Sequence, residues 1–391
     1  MISARLVRSI GQGALIVSFA LYLHALGWRS GAIGTLLGVT GVVNGIAGLL
    51  VGPLTDRFGR RRFLLAYEAI VLAAGLVACV TARAGPLVAA ALVGGFGRGQ
   101  SGAAGPFAPA EGAWLAELTE ARERGRIFSV NFAVGSFGTA LGALAAGAAP
   151  MLSSWLHGAL AYRPLFALTM TGAGAGFVLL AGCPGGRSQP TARAPAAAAP
   201  EARKAENRSL LLLALTNAMN GAGIGLIGPL IAYWFALRFG VGVGRIGPMM
   251  ALAFAATGAA SLATGVLTGA FGIVRSVVAV RAAGLAVLVA MPLVPQYALA
   301  ASLYVVRSAL NRGTAGARQA LALGLVSDRR RGLAASLNAA SMQLPSALGP
   351  AAAGWLFQAG WLSLPFYGAA VFQLAYLVLY ARLFASREAT S

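Results

Sequence analysis

The sequence predicts an all-α membrane protein built from two bundles of six helices. Of its 391 residues, 58% are hydrophobic and only 10% are charged, whereas a soluble domain carries about 25% charged residues. Twelve stretches are apolar over roughly the 20 residues that an α-helix needs to cross a bilayer. A charged segment rich in proline and alanine follows the sixth stretch, so it separates six predicted spans from six others.

The spans are predicted to be helices because a backbone in contact with lipid must satisfy its own hydrogen bonds. The ten-residue alternation that is typical of barrel strands does not occur in the sequence. The predicted spans are 8–26, 32–54, 63–82, 87–109, 127–150, 163–182, 210–236, 246–268, 274–294, 297–318, 333–357 and 362–384.

The arginine residues predict the topology. They are concentrated in alternate connections and at both termini, so the positive-inside rule places the termini and the central connection in the cytoplasm. The net charge of +20 is thereby explained without a nucleic-acid-binding patch. We interpret the start, "MISARLVRSIGQG", as part of the first span and not as a removable signal peptide. The sequence therefore predicts a multi-pass protein of the inner (cytoplasmic) membrane.

The two halves of the chain resemble each other. Residues 52–62 and 265–275 are identical at six of eleven positions, and residues 122–147 align without gaps on 329–354. The second alignment pairs Asn131 with Asn338 and Gly142 with Gly349. We predict an N-terminal bundle over 1–186, a cytoplasmic linker over 187–208 and a C-terminal bundle over 209–391. Duplicated halves with a binding site between them are common among transporters.

Two motifs show a family resemblance. The stretch "GPLTDRFGRRRFL" between spans 2 and 3 resembles the loop 2–3 signature of the major facilitator superfamily (MFS). The stretch "RGQSGAAG" in span 4 is similar to a second motif of that family at Arg98 and Gly102. In the first motif the matching residues are Gly52, Leu54, Asp56, Arg57, Gly59, Arg60 and Leu64, with Arg61 in place of a lysine.

One feature departs from the drug–proton antiporters of that family, which often carry a Gly-Pro in span 5. Here the corresponding run of span 5, Gly138, Gly142, Ala143 and Gly147, contains no proline, and the Gly-Pro occurs in span 11 as Gly349–Pro350.

The resemblance implies an MFS fold of two bundles related by a pseudo-two-fold axis, similar to the bacterial drug and metabolite exporters. It implies alternating access, coupling to protons, export and a monomer in the bilayer. It also implies a cytoplasmic gate, in which an acid and nearby arginines latch the two halves. The alternative is that these charges only set the topology. The gate residues are Gly52, Asp56, Arg57, Gly59, Arg60 and Arg61.

Arg98 and Arg307 are predicted near the bilayer midplane, where an arginine costs about 2.5–3.5 kcal/mol. No carboxylate is predicted at that depth, so we expect an electropositive cavity that suits an anionic or zwitterionic substrate. The alternative is that both arginines bond to helix carbonyls and serve packing. Further candidates for the cavity are amides within the spans: Asn311, Asn131, Asn338, Asn217, Asn220 and Asn44.

Glu111 and Glu68 are the acidic residues predicted within apolar segments. A carboxyl group in a low-dielectric environment is suited to carrying a proton. Structural pairing of both residues with cytoplasmic arginines is an equal alternative, and the sequence does not separate the two.

Enzymatic motifs are missing from the sequence. The G-x-G-x-x-G at Gly97, Gly99 and Gly102 lies within a span, so we interpret it as a chance match. The only lysine is Lys204, which excludes a Walker A motif. Cys79 and Cys183 show no metal-ligand spacing. We predict no enzyme activity, no metal, no cofactor and no nucleic-acid partner, with an ion gradient as the energy source.

The predicted function is secondary active transport of a small organic solute. Two alternatives stay open at this point. One is a broad-specificity multidrug/proton antiporter that binds amphiphiles in an apolar pocket, and the other is a non-transporting membrane receptor or scaffold on the same fold.

Overall fold

The computed structural model describes residues 2–97, 110–112, 114–115, 124–152, 155–183, 200–271, 273–313 and 331–388. Within these ranges the secondary structure is helical, and no β-strand occurs in them. Nine of the described helical segments are long and apolar enough to cross a membrane, and Ala84–Gly94 is a shorter apolar helix. The predicted all-α membrane fold is thereby confirmed.

The helices follow the order of the predicted spans, and we number them accordingly. The seventh is broken by the 3-10 turn Gly228–Leu230 into α7a and α7b. The helices are α1 Ile2–Ala25, α2 Ser30–Phe58, α3 Arg60–Val80, α4 Ala84–Gly94, α5 Arg124–Ala148, α6 Arg163–Ala181, α7a Pro200–Ile227, α7b Ile231–Phe239, α8 Val243–Phe271, α9 Ile273–Ala290, α10 Tyr297–Gly313, α11 Arg331–Gln358 and α12 Leu364–Glu388.

The fourth span differs from its prediction. It was expected to be one helix over 87–109, but α4 ends at Gly94. Gly95 and Gly97 have positive φ angles of 67° and 71°, and a glycine in this conformation ends a helix because residues with a Cβ rarely adopt it. Phe96 lies between the two glycines and is buried. Gly95 and Gly97 therefore end α4 well before the predicted end of the span.

The linker also differs from its prediction. Residues 200–208, which were assigned to the end of the linker 187–208, form the first turns of α7a. Their sequence explains the difference, because Pro200 suits a first helical position and the following Glu201, Ala202, Arg203 and Lys204 are good helix formers. The linker residues 187–199 lie outside the described residues.

The two halves pack in equivalent ways. In the first half α1 contacts α5 and α6, and α3 contacts α4 and α6. In the second half α7a contacts α11 and α12, and α9 contacts α10 and α12. The principal contacts between the halves are α2 with α11 and α5 with α8. Each pair recurs when every helix number is shifted by six, as a duplicated architecture requires.

Glycine pairs join the halves at one end of the molecule, which carries the connections 26–29, 240–242 and 359–363. We call this end the closed face. A Cβ added to Gly34 of α2 would lie 2.8 Å from the Cα of Gly354 of α11, and one added to Gly247 of α8 would lie 2.5 Å from the Cα of Gly147 of α5. The two crossings occupy equivalent places in the two repeats.

A polar contact reinforces the closed face. The hydroxyl group of Tyr233 in α7b lies 2.7 Å from Oγ of Ser30 in α2 and 3.2 Å from Nδ1 of His24 in α1. The backbone N–H of Gly31 donates to Oε1 of Gln358 in α11 at 3.1 Å. Three polar contacts therefore connect the two halves beside the glycine crossings.

Candidate functional site

The first half buries two arginine–glutamate pairs. Nη1 of Arg5 donates a hydrogen bond to Oε2 of Glu111, and Nε of Arg8 lies 3.8 Å from Oε1 of Glu68. All four residues are buried. Both arginines belong to the basic residues near the N-terminus from which the cytoplasmic topology was predicted. They are buried instead because α1 begins at Ile2 and each lies beside a carboxylate inside the bundle.

Glu68 is held less tightly than Glu111. Its side chain is fully buried, and neither of its carboxylate oxygens accepts a hydrogen bond from any described residue. On the side of α6 it faces Gly176, whose added Cβ would lie 3.0 Å from Oε1. Both acids therefore lie beside an arginine, as the structural-pairing alternative of the sequence analysis expects. A role of either acid in carrying protons stays a prediction.

A small cavity with a mixed polar and apolar lining lies beside Arg8. Its volume of about 20 Å³ is enough for one water molecule. Its lining combines polar side chains with the backbone where α4 ends, and it includes Arg8, Gln12, Tyr67, Gly95, Gly97 and Thr169. The end of α4 therefore adjoins Arg8 of α1. Helix ends that meet polar side chains inside the membrane often mark binding sites in transporters.

The second half contains a buried arginine that the sequence analysis missed. Arg281 of α9 donates from Nη1 to Oδ1 of Asn220 at 2.7 Å and from Nη2 to the carbonyl oxygen of Asn311 at 3.4 Å. Its Cζ also lies 4.6 Å from the ring centroid of Tyr376. These contacts connect α9 to α7a, α10 and α12. One side-chain amide, one backbone carbonyl group and an aromatic face therefore hold the cation here, where the first half uses a carboxylate.

The Arg8–Glu68 contact of the first half and the Asn220–Arg281 contact of the second half occupy equivalent positions in the repeats. Gly13 of α1 packs against Thr139, and Gly225 of α7a packs against Ser346, so α1 and α7a correspond with a shift of 212 residues. The same shift relates Arg8 to Asn220. A shift of 213 residues relates Glu68 to Arg281, and it is the shift of the aligned segments 52–62 and 265–275. Continuing that alignment by six residues would have found Arg281.

Arg307 and three of the predicted amides lie in the interior of the second half. Arg307 and Asn311 are one helical turn apart on α10, and Asn217 and Asn220 belong to α7a. All four are buried. The structure joins Asn220 and Asn311 through Arg281, and no described acidic side chain forms an ion pair with Arg307.

Asn44 and Asn131 lie in the first half. Nδ2 of Asn44 donates to the carbonyl oxygens of Thr40 at 2.8 Å and Leu92 at 3.4 Å, which ties α2 to α4 within the first half. Asn131 is buried on α5. Arg98 and the side chain of Asn338 lie outside the described residues.

The gate motif surrounds the turn between α2 and α3. Gly52 lies in α2, and Gly59 separates the two helices with a φ of 82°. The Arg57 guanidinium lies 5.4 Å from the ring centroid of Phe58. Arg61 donates to the carbonyl oxygen of Ala181 at the end of α6, so this contact stays within one half.

Arg60 begins α3. The side chain of Asp56 lies outside the described residues, so the latch between the halves stays a prediction.

We expect Arg281→Leu to lower the melting temperature of the purified protein. The substitution leaves the buried Oδ1 of Asn220 without its donor, which costs about 1–3 kcal/mol. The double variant Asn220→Leu/Arg281→Leu should recover part of the loss, because it removes both polar partners together. A double variant that melts no higher than Arg281→Leu would contradict this account.

Two equivalent helical bundles with buried charges, crossing a membrane many times, define the class of membrane transporters. The chain belongs to the Major Facilitator Superfamily. The model of that family matches residues 1–212 and again residues 213–391. The predicted family and the predicted assignment to transporters rather than enzymes are both confirmed by this match.

Relatives in sequence include bacterial multidrug resistance proteins. Multidrug resistance protein MdtH of Aeromonas hydrophila is 31% identical over 136 residues, which cover 34% of this chain and 31% of the relative. Multidrug resistance protein D of Escherichia coli is 30% identical over 128 residues, which cover 33% and 32%. The alignments thus span about a third of the relatives' length.

Solved structures share the fold over nearly the whole chain. A POT family peptide transporter has a TM-score of 0.74 at 14% identity, with 98% of this chain and 96% of that chain covered. The nucleoside transporter NupG has a TM-score of 0.72 at 12% identity, with 98% and 99% covered. The human organic anion transporter MFSD10 has a TM-score of 0.67 at 17% identity, with 97% and 98% covered. At these identities the likeness shows the fold alone.

Proposed function

We propose that the protein is a secondary active transporter of a small organic anion or zwitterion. The two bundles alternate access to a site between them, and a proton gradient drives export across the inner membrane. The protein works as a monomer without a metal or cofactor, and the small-molecule solute and the lipid bilayer are its partners.

The observation that carries the proposal is the excess of buried positive charge in the second half. Arg281 and Arg307 are buried there, whereas the sequence has no aspartate or glutamate in any of the predicted spans 7–12. An arginine inside the bilayer costs about 2.5–3.5 kcal/mol, and it normally faces a partner or a cavity. Amides and an aromatic ring stabilise Arg281 without neutralising it, so the half stays electropositive and favours an anionic group of the substrate.

The relatives favour a second candidate function. The two bacterial relatives are multidrug resistance proteins, so a broad-specificity multidrug/proton antiporter is the alternative. A multidrug antiporter would accept lipophilic cations in an apolar pocket, which an electropositive second half disfavours.

Transport by purified protein in proteoliposomes tests the proposal. The probes are radiolabelled salicylate as an anion, tryptophan as a zwitterion and tetraphenylphosphonium as a lipophilic cation, each under an imposed proton gradient. We expect movement of salicylate or tryptophan and little movement of tetraphenylphosphonium. Movement of tetraphenylphosphonium alone would favour the multidrug alternative, and no movement of any probe would contradict the proposal.

We expect Arg98→Ala to abolish this transport while the yield and the melting temperature stay near those of the unmodified protein. The reason is that the proposal assigns Arg98 to the substrate or to coupling and not to packing. An equal loss of folded protein and transport would instead assign Arg98 to packing. Asp56→Asn should also stop transport if the gate motif latches the two halves.

A further inference from the structure

The two buried carboxylates of the first half are held in different ways. Glu111 accepts a direct hydrogen bond from Arg5. Arg5 in turn packs on α5, where a Cβ added to Gly135 would lie 2.7 Å from its Nε. Glu68 lies 3.8 Å from Arg8, and no described residue donates a hydrogen bond to it. Protonating Glu111 would break a charge-assisted hydrogen bond, whereas protonating Glu68 would remove only a longer attraction.

We propose that Glu68 is the residue that binds the coupling proton, and that Arg8 is its charge partner. This inference rests on the proton-coupled transport proposed above. One oxygen of the Glu68 carboxylate takes up a proton from water and forms an O–H bond, and no other bond changes. After protonation, Arg8 and Glu68 together carry only the positive charge of Arg8. The electrostatic attraction between Arg8 of α1 and Glu68 of α3 is then lost.

The groups around Glu68 allow it to exist with and without the proton. Burial away from water disfavours the charged carboxylate, and the nearby positive charges of α1 favour it. The charged and titratable groups that face this region are Arg5 and Arg8 of α1, Tyr67 of α3 and Glu111 of the segment 110–112. On the side of α6 the group in contact is Gly176, which carries no charge. Because burial and the positive charge of Arg8 act in opposite directions on the Glu68 carboxylate, small movements of Arg8 change the fraction of Glu68 that is protonated.

The second half supplies an internal comparison. Its equivalent contact joins Asn220 to Arg281, and neither side chain changes its charge at neutral pH. That contact persists whether or not protons are available. The duplicated contact is therefore permanent in one half and dependent on protonation in the other, which is the asymmetry that a coupling site requires.

The cavity beside Arg8 provides a place for water near the pair. It has room for one water molecule, and Arg8, Gln12 and Tyr67 line it next to the backbone where α4 ends. Oε1 of Gln12 is buried without a hydrogen-bond partner among the described residues. A water molecule there would satisfy Gln12 and reach the guanidinium that faces Glu68. In the proposal, a proton reaches Glu68 by way of this cavity.

Infrared difference spectroscopy tests the proposal without a substrate. We expect purified protein to show, on acidification, the C=O band of a protonated carboxyl group that lacks strong hydrogen bonds. The band should be absent from Glu68→Gln and present in the matched variant Glu111→Gln, in which the acceptor of the Arg5 hydrogen bond loses its charge and the melting temperature falls. A band that persists in Glu68→Gln, or disappears only in Glu111→Gln, would overturn the proposal.

A second variant copies the contact of the other half. In Arg8→Asn/Glu68→Arg the first half receives the Asn–Arg pair at the same two positions, so the variant keeps a buried polar contact but has no proton acceptor there. With a labelled probe that the unmodified protein moves, we expect probe-for-probe exchange to continue and proton-driven accumulation to be lost. Glu68→Gln should behave in the same way.

The outcomes separate the two proposals. If the labelled probe still accumulates in response to a proton gradient in Arg8→Asn/Glu68→Arg and in Glu68→Gln, Glu68 is excluded as the coupling residue. The proposed transport would not be affected by that result. If the unmodified protein moves no probe, the proposed transport fails, and the infrared band still decides whether Glu68 binds a proton.

Discussion

Gly142→Ala is expected to remove most of the folded protein. Gly142 lies where α5 crosses α1, and a Cβ added to it would overlap the carbonyl oxygen of Ile10 and lie 2.8 Å from the backbone nitrogen of Ala14. The new methyl group meets backbone, which cannot move without displacing a helix. Overpacking typically costs 1–3 kcal/mol, and crossings made by small residues are a main source of helix association in membranes.

The equivalent crossing in the second half gives an independent repeat of this experiment. A Cβ added to Gly349 of α11 would lie 2.6 Å from the carbonyl oxygen of Gly225 in α7a. We therefore expect Gly349→Ala to lose folded protein to a similar degree. Size-exclusion profiles from detergent extracts and melting temperatures of any purified protein are the measurements.

Gly48→Ala is the matched control. Gly48 lies in the interior of α2, and no described atom lies within 4 Å of the position of its added Cβ. Alanine is favoured over glycine in a helix by about 1 kcal/mol, so this variant should fold as well as the unmodified protein or better. If Gly142→Ala and Gly48→Ala gave equal yields and melting temperatures, the α1–α5 crossing would not be a close contact.

Gly34→Ala is expected to leave the bundles folded and to hold the closed face open. Gly34 contacts Gly354 between the halves and not within one half, and the added Cβ would overlap the carbonyl oxygen of Pro350. The two halves can relieve this overlap by separating, whereas the helices of one bundle cannot. Transport should fall by an order of magnitude or more, because alternating access needs this face to close.

Spin labels measure the separation directly. Labels on Arg29→Cys and Trp361→Cys would report the distance across the closed face, in a background with Cys79 and Cys183 replaced by serine. The mean distance should increase in Gly34→Ala and in the equivalent variant Gly247→Ala, and should stay unchanged in Gly48→Ala on the same helix as Gly34. An unchanged distance in both crossing variants, together with normal transport, would show that this contact does not limit closure.

The sequence predicted the architecture well because hydrophobic length and duplication are properties of the chain itself. Each predicted span from α1 to α12 corresponds to a described helix in the same order. The exceptions are at boundaries and interruptions. Helix α1 starts at Ile2 and α7a starts at Pro200, in segments too polar to be recognised as parts of a membrane span. The positive φ angles at Gly95 and Gly97 cannot be recognised from hydropathy.

The candidate site was less accessible to sequence reasoning. Glu68 and Glu111 were found because acids are rare in apolar segments, but their different partners were not predictable. Arg5 and Arg8 were assigned to topology because basic residues near a span end usually lie in water. Arg281 was overlooked, although it is an isolated charge in an apolar span and occupies the position of Glu68 in the repeat.

The sequence by itself determined that this protein is a duplicated, twelve-span member of its superfamily with an excess of buried positive charge. Those conclusions depend on composition, periodicity and motifs, which are local along the chain. The tertiary structure decided which buried polar side chains meet. Arg5 pairs with Glu111, which is 106 residues away in the sequence, and Arg281 pairs with Asn220, which is 61 residues away. Such contacts depend on how far each helix is rotated and shifted against its neighbours. Close helix–helix crossings at glycines such as Gly142 fix that rotation and shift. The hydropathy of the sequence does not show where these crossings occur.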